Sequence, residues 1–349
     1  MNLIRNEPSN SNIQSAADIN QEIANAANQV AAKFQFINYQ QRRSEHTLRR
    51  QRAGLRLFEE FLFSVVIEVC NPLFEDPTAW KPISWGLVEG FVKWQLKEGY
   101  AIQSINVRLS TVKTYAKLAM RSGVLPVETY AQIATVNGYT HKEGIRVDQK
   151  RSKTRVGFKK KKHKTLTLNQ VRQLVNQPDT PQGRRDRLMM CLLFDHGLRV
   201  GELANLDVKS INLEDGLLEF YRPKVSKIQK HYLSEDTMDA LQRCIRHGEM
   251  LAEGPLLLRS LKNKQLLDTG ISERGITLRV KQLGEEIGID HLSAHDCRHY
   301  WATSAAKNGT DPFVLQEAGG WSSLAMPRRY IEDNEIANEG IHISKKRPS

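Results

Sequence analysis

A run of basic residues near the middle of the chain most restricts how this sequence can fold. Residues 150–164 read KRSKTRVGFKKKKHK and hold nine Lys or Arg and no Asp or Glu. Like charges at this density repel one another and oppose packing into a core, so the run predicts an extended linker. We place the linker at residues 141–164. It divides a chain of 349 residues into two parts, each the size of an ordinary domain.

The basic run admits three interpretations. It can be a solvated loop, a nuclear-import signal, or a strap that lies along the phosphates of a nucleic acid. The net charge favours the strap, because 51 Lys and Arg against 39 Asp and Glu give +12, and such an excess favours a polyanionic partner. The phosphate contacts would then come from Lys159, Lys160, Lys161 and Lys162.

Composition also bears on the compartment of the protein. We find no window of 18 apolar residues and no charged-then-apolar leader at the N-terminus, so we expect a soluble, cytoplasmic protein without a membrane partner. The cysteines form no C-x-x-C pair, which argues against a disulfide framework and a zinc ribbon. We expect each to be a small buried hydrophobic residue. They are Cys70, Cys191, Cys244 and Cys297.

The part before the linker is predicted to be entirely helical. Residues 1–43 are rich in Asn, Gln and Ala and contain few large apolar residues, so we interpret them as a polar extension. From residue 44, apolar residues recur at helical spacing, and further helices are predicted after Ser84, around Ile105 and after Pro126. Residues 44–140 therefore form a small all-α domain. The first apolar stripe consists of Leu55, Phe58, Phe61, Leu62 and Val65.

The part after the linker, residues 165–330, is predicted to be mostly helical with a small sheet. It begins with a helix at LTLNQVRQLV, and Leu217–Lys224 and His231–Ser234 are typical of a hairpin. The fold class of the chain is therefore mainly α with a small β-sheet (α+β). The absence of a glycine-rich phosphate loop argues against an ATP-driven enzyme. Further helices are predicted around residues 236–247, 272–287, 296–308 and 312–318.

Three histidines at four-residue spacing raise the question of a metal site. His291, His295 and His299 would face one way on a helix, as a zinc site requires. However, Arg298 among them would repel a dication, and His291 precedes the predicted helix start. We therefore expect no metal ion here. His299 alone is also compatible with a hydrogen-bonded histidine of the core.

Residues on both sides of the histidines supply the groups that break a phosphodiester without a metal. HGLRVGEL contains Arg199 and, three residues on, Glu202, while Trp321 precedes Tyr330 by nine residues. Arginine binds two phosphate oxygens and stays charged, and an indole offers one fixed donor. A phosphotyrosyl ester keeps the bond energy for religation, and a lysine can protonate the leaving 5′-hydroxyl. The lysines between the predicted strands are Lys224, Lys227 and Lys230.

These motifs resemble the tyrosine recombinases, the phage-integrase and Xer type that also includes Cre-like enzymes. The resemblance runs from about residue 44 to residue 330. It is strongest in HDCRHYWATSAAKNGTDPFVLQEAGGW, which matches the His-x-x-Arg-His helix of the family and the Gly-His/Trp sequence that follows that helix. The Arg199-x-x-Glu202 pair and the Trp321-to-Tyr330 spacing complete the pattern in the correct order.

The resemblance implies a catalytic role for each matched residue. Arg199 and Arg298 would bind the scissile phosphate, and Tyr330 would be the nucleophile. His295 would assist proton transfer at the tyrosine, and Trp321 occupies a position that is His in many members and Trp in some.

The resemblance also implies supporting residues. Glu202 would orient the arginines from behind, and His299 would support the site. Lys224 would be the general acid, with Lys227 as the alternative, because the hairpin turn RPKVSKIQK lacks the usual glycine. Pro327 departs from the family's residues just before the tyrosine.

At the level of the whole protein, the family implies a core-binding (SAM-like) domain and a catalytic domain that close a C-shaped clamp around double-stranded DNA. It further implies a homotetramer on two specific core sites, a Holliday junction, and neither metal nor cofactor. Residues 331–349 would dock on a neighbouring subunit, and accessory DNA-bending or directionality proteins are compatible partners. Two other functions remain open, a type IB topoisomerase and a catalytically silent DNA-binding regulator.

Overall fold

The computed structural model describes residues 16–152 and 164–332. The chain forms two compact units, residues 1–159 and 160–349, with the boundary inside the basic run. Among the described helices, none combines the length and apolarity needed to cross a membrane. Helices dominate and the sheets are small and antiparallel, which confirms the predicted fold class.

The first unit is entirely helical in its described part. Its core is rich in aromatic residues: Phe58 packs against Phe91 with ring centroids 4.9 Å apart, and the buried Trp80 donates its indole N–H to the carbonyl of Leu73. Its helices are α1 (Ala16–Lys33), α2 (Gln35–Gln41), α3 (Glu45–Ser64), α4 (Trp85–Lys97), α5 (Ile102–Arg121), α6 (Val127–Thr135) and α7 (His141–Lys150), with a 3₁₀ turn at Pro77–Trp80.

The folded part of this unit begins before residue 44, inside the stretch that the sequence predicts to be a polar extension. Phe36 on α2 is buried, and its ring lies 5.3 Å from that of Tyr115 on α5. Tyr39 accepts a hydrogen bond from Gln51 and also contacts Tyr115. Two aromatic side chains thus attach a short helix whose other residues are polar apart from the exposed Ile37.

The stretch predicted to be a linker begins as a helix. Thr140 and Glu143 form a reciprocal capping box at the start of α7, and Arg151 donates to the carbonyl of Tyr100 at 2.8 Å. The predicted contacts of Lys159, Lys160, Lys161 and Lys162 lie outside the described residues. Cys70 also differs from expectation, since it is exposed whereas the other three cysteines are buried.

The second unit packs helices and two small sheets around one core. A three-stranded sheet has the order β1-β2-β3, and its hairpin ends on the pair Arg222 and Lys227. The elements are α8 (Leu168–Val175), α9 (Pro181–Asp195), α10 (Val200–Ala204), β1 (Ile211–Asn212), β2 (Leu217–Arg222), β3 (Lys227–Tyr232), α11 (Glu235–Arg246), β4 (Leu258–Ser260), β5 (Leu266–Gly270), α12 (Glu273–Glu286), α13 (Ala294–Lys307), α14 (Pro312–Gly319) and α15 (Ala325–Glu332).

Helix α9 lies at the centre of this unit. Its residues from Leu188 to Phe194 are all buried, and α8, α11 and α13 pack around it. The chain leaves α9 through His196 and Gly197. Gly197 adopts φ 58°, and the Trp301 ring occupies the space where a side chain would lie, so both the backbone and the packing require glycine. This turn brings Arg199 to the start of α10.

Candidate active site

Glu202 organises the first part of the candidate site. It lies in the short helix α10 and is buried, and its carboxylate accepts from the Arg199 main-chain N–H at 2.8 Å and from Arg199 Nη1 at 2.7 Å. Arg222 Nη1 donates to the same carboxylate at 2.8 Å. Burial raises the pKa of Glu202, but the charges of Arg222 and Arg199 and the Arg199 hydrogen bonds outweigh it, so the pKa is lowered. Glu202 is therefore ionised and holds two arginines.

The C-terminal end of α14 organises the second part. Arg199 Nη2 donates to the carbonyls of Gly320 at 2.9 Å and Gly319 at 3.3 Å. Arg298 donates to Gly319 as well, and also to the carbonyl of Gly197. The last carbonyls of a helix lack partners within it and carry partial negative charge, so they suit guanidinium groups.

Arg298 lies on α13 against two neighbouring indole rings, whose centroids are 6.1 Å apart. Its guanidinium carbon is 4.7 Å from the ring centroid of Trp321 and 5.7 Å from that of Trp301. The side chain is buried, and burial together with the charges of Arg199 and Arg222 lowers its pKa. The flat indole faces stabilise the cation where little water reaches it.

Tyr330 lies on α15 and is 1% exposed. Its ring centroid is 4.7 Å from that of His299 and 5.7 Å from that of Trp321. His299 in turn contacts His295, one turn earlier on α13, at 5.7 Å between centroids, and His295 is exposed. Pro327 falls in the first turn of α15, where a missing N–H removes no helical hydrogen bond, so this departure from the family pattern is compatible with the helix.

The predicted residues Arg199, Arg298, Trp321, His299, His295 and Tyr330 thus form one continuous set of contacts. Lys224 makes none of the contacts that join them. It is exposed in the turn between β2 and β3, where Ser226 takes the left-handed conformation, φ 49°, that a glycine would favour. Lys227, the alternative acid and predicted DNA contact, pairs with Glu317 of α14.

The histidine spacing does not produce a shared metal-binding face. His291 precedes α13 and adopts φ 57°, so it is not on the helix that carries His295 and His299. Within residues 16–152 and 164–332, no three His, Cys, Asp or Glu side chains are grouped as ligands for a metal ion.

Our sequence interpretation missed three residues of this region. Arg222 and Gln229 bond to each other across the hairpin, and Gln229 donates to the carbonyl of Glu317. Trp301 flanks Arg298. Trp301 could have been found, since it lies three residues after Arg298 on the same helix. Arg222 could not, because a charged residue at a strand end carries no pattern that predicts burial.

Two family models match the chain. A family model described as "Phage integrase family" matches residues 164–336, and one described as "Phage integrase, N-terminal SAM-like domain" matches residues 32–123. Tyrosine recombinase XerD of Xanthomonas axonopodis pv. citri (strain 306) is 28% identical over 249 residues, which cover 69% of this chain and 75% of XerD. Tyrosine recombinase XerC of Vibrio vulnificus (strain YJ016) is 24% identical over 301 residues, covering 85% of this chain and 84% of XerC.

Solved structures share the fold. A lambda integrase (75-356) dimer bound to a COC′ core site aligns with a TM-score of 0.60 and 17% identity over 90% of this chain and 97% of that one. The Tn1549 transposon integrase in complex with transposon right end DNA aligns with a TM-score of 0.60 and 15% identity, covering 86% and 94%.

The two matched domains, in this order, define a DNA strand-breaking and rejoining enzyme of the integrase class. The chain belongs to the phage integrase family of tyrosine recombinases and is a site-specific recombinase that binds DNA. Neither the topoisomerase nor the silent-regulator alternative is favoured by these relatives.

Proposed function

We propose that this recombinase breaks and rejoins DNA through a 3′-phosphotyrosyl intermediate, with Tyr330 as the nucleophile and without metal, ATP or another cofactor. The observation that carries the proposal is the meeting of Tyr330, Trp321, Arg298 and Arg199 at the end of α14. A phenol, an indole N–H and two guanidinium groups supply a nucleophile and phosphate-binding donors in one place.

In the cleavage step, the phenolic oxygen of Tyr330 attacks the scissile phosphorus, and the bond from phosphorus to the 5′ oxygen breaks. The five-coordinate transition state carries additional negative charge on the nonbridging oxygens. Arg199 and Arg298 neutralise that charge, and Trp321 Nε1–H donates one more hydrogen bond. In the reverse step a 5′-hydroxyl attacks and the phenolate leaves, so that religation needs no ATP.

Two proton transfers accompany cleavage. The exposed His295 assists removal of the phenolic proton, and His299, against the Tyr330 ring, supports the tyrosine. Lys224 delivers a proton to the leaving 5′ oxygen, and its exposed position in the hairpin turn leaves it accessible to DNA. Because Tyr330 is buried, we expect α15 to shift when DNA binds.

We propose that residues 44–140 and 165–330 close a C-shaped clamp on DNA, with the basic linker along the duplex. The net charge of +12 supports such contacts. The active form would be a homotetramer on two core sites that exchanges strands through a Holliday junction. Residues 331–349 would dock on a neighbouring subunit, and accessory proteins would set direction. The related Tn1549 transposon integrase supports a role on a mobile element, and the bacterial relatives support action in the cytoplasm at the nucleoid.

The test is covalent capture of DNA by the full chain. Wild-type protein and Tyr330→Phe are incubated with fragmented genomic DNA of the source organism, denatured, and freed of non-covalent DNA, and attached DNA is sequenced. We expect the wild type to retain one specific sequence and the Phe variant to retain none while binding that sequence normally. A covalent complex in Tyr330→Phe would place the nucleophile elsewhere, and no complex with the wild type would overturn the proposal.

A further inference from the structure

A third arginine lies behind the two that are expected to bind the phosphate. Arg222 is the last residue of β2, its side chain is 0% exposed, and its donors are directed to protein groups. Its guanidinium carbon lies 4.7 Å from the centroid of the Phe220 ring. Burying a cation is costly unless every donor finds a partner, so the contacts of this side chain indicate what it is for.

The donors of Arg222 are directed to three separate elements. Nη1 donates to Glu202 in α10 at 2.8 Å, Nη2 donates to the carbonyl of Ala318 in α14 at 2.7 Å, and Nε donates to Gln229 in β3. Gln229 then donates to the carbonyl of Glu317, one residue before Ala318. Arg222 therefore ties the hairpin to both elements that hold the other two arginines.

Each of these partners of Arg222 either contacts a predicted catalytic group or precedes one along the chain. Glu202 holds Arg199 through two hydrogen bonds. Ala318 is followed by Gly319 and Gly320, whose carbonyls accept from Arg199 and Arg298, and then by Trp321.

The hairpin itself carries Lys224, two residues beyond Arg222. The buried guanidinium of Arg222 thus connects the groups that hold Arg199 and Arg298 to the hairpin that carries Lys224, the proposed general acid.

The chain also makes room for this side chain. Gly320 adopts φ 55°, and a Cβ built at that position would overlap Cδ of Arg222. Glycine at position 320 thus permits the left-handed backbone at the end of α14 and leaves space for the Arg222 side chain.

We propose that Arg222 is a positioning residue for strand cleavage: it fixes Glu202 and the end of α14 so that Arg199 meets the scissile phosphate in its reactive orientation. This inference rests on the proposed function. It assigns Arg222 no contact with DNA, so its replacement changes the rate of cleavage and leaves DNA affinity unchanged.

The test compares two forms of the DNA recovered by covalent capture. One is the natural duplex, nicked to trap the covalent product, and the other carries a methylphosphonate at the scissile position. The methyl group removes the negative charge that Arg199 neutralises, so a misplaced Arg199 costs less on this substrate. A variant that merely lowers the amount of folded enzyme slows both substrates by the same factor.

We expect Arg222→Met to cleave the natural duplex about 10²-fold more slowly at saturating enzyme, the size of effect that a displacement near 1 Å produces. On the methylphosphonate the defect should fall below about tenfold. Arg222→Lys keeps the charge but reaches fewer partners. Its cleavage rate on the natural duplex should therefore lie between those of wild type and Arg222→Met, and its defect should also be smaller on the methylphosphonate. If Arg222→Met does not fold, Arg222→Lys decides the question.

Arg185 supplies a matched control. It is a buried, ion-paired arginine of the same unit that donates to the carbonyl of Leu258, away from the site residues. Arg185→Met should slow both substrates equally or not at all. If Arg222 variants behave like Arg185→Met, or cleave at the wild-type rate, the positioning role is wrong while the proposed function stands. If wild type forms no Tyr330-dependent complex, the proposed function fails first and the inference falls with it.

Discussion

Arg199 and Arg298 donate hydrogen bonds to the same main-chain oxygen, the carbonyl of Gly319. Two guanidinium groups at one acceptor repel each other, and the carboxylate of Glu202 and the helix-end carbonyls offset that repulsion. The two charges are therefore brought together before a phosphate is present. Charge that is held in place in advance costs no reorganisation when the transition state forms.

Strand cleavage should survive excess EDTA, because we assign the neutralisation of the phosphate to Arg199 and Arg298. The measurement is the rate of covalent complex formation with and without the chelator. Abolition of cleavage in EDTA, reversed by added zinc, would instead support a metal held by the histidines.

Stability should fall in acid because of His196, which is buried and bonds to Thr237 at 3.2 Å. Burial, and to a smaller extent the neighbouring His231, lowers the pKa of His196 to about 3. The unfolded chain takes up this proton near pH 6.5 and the folded chain does not, so stability is present above pH 6.5 and is lost as the pH falls toward 3. The slope from this residue should approach ~1.4 kcal/mol per pH unit.

Urea unfolding between pH 5 and pH 8 checks this expectation with His196→Gln as the comparison. His231 and Asp195 titrate in both proteins, so the difference between their slopes isolates His196. The free energy of unfolding of His196→Gln should change less steeply with pH than that of the wild type. Equal slopes would show that folding does not lower the pKa of His196.

Local spacing in the sequence accounts for the proximity of several residues of the candidate site. His295, Arg298 and His299 share one helix, and Tyr330 follows Trp321 at short range, so spacing alone places them. The helix α9 was not predicted, because its polar residues are followed by an unbroken apolar run, residues 188–194, and this arrangement has no helical period.

Long-range contacts explain the other differences. Phe36 and Arg222 owe their burial to partners far along the chain, Tyr115 for the first and Ala318 for the second. Neither interaction has a counterpart in the spacing of neighbouring residues. For Arg222, the partner that balances its charge is Glu202, twenty residues earlier. Burial of a charged side chain follows from such pairs and not from its own local sequence.

Replacing Lys159, Lys160, Lys161 and Lys162 with Gln should weaken binding to all duplexes alike. For every lysine that binds a phosphate, its replacement should flatten the slope of log K against log salt concentration by about 0.9. The matched control replaces the same four residues with Arg, which keeps the charges and should keep the slope. A slope that does not change in the Gln variant would indicate a solvated loop.

Two hairpin lysines, Lys224 and Lys227, are candidates for the general acid. Lys224 is exposed in the turn, whereas Lys227 pairs with Glu317 on α14. If Lys224 protonates the leaving 5′ oxygen, Lys224→Ala should slow cleavage by roughly 10²–10⁴-fold.

Replacing that oxygen with sulfur should largely remove the defect of Lys224→Ala, because a thiolate leaves without needing a proton. Lys227→Ala should show a smaller defect that sulfur does not rescue, since its ammonium is engaged by Glu317 and contacts at most the DNA backbone. Cleavage rates on paired oxygen and 5′-thio substrates separate the two residues. If sulfur rescues Lys227→Ala and not Lys224→Ala, Lys227 is the general acid. Its ion pair with Glu317 must then open when DNA binds.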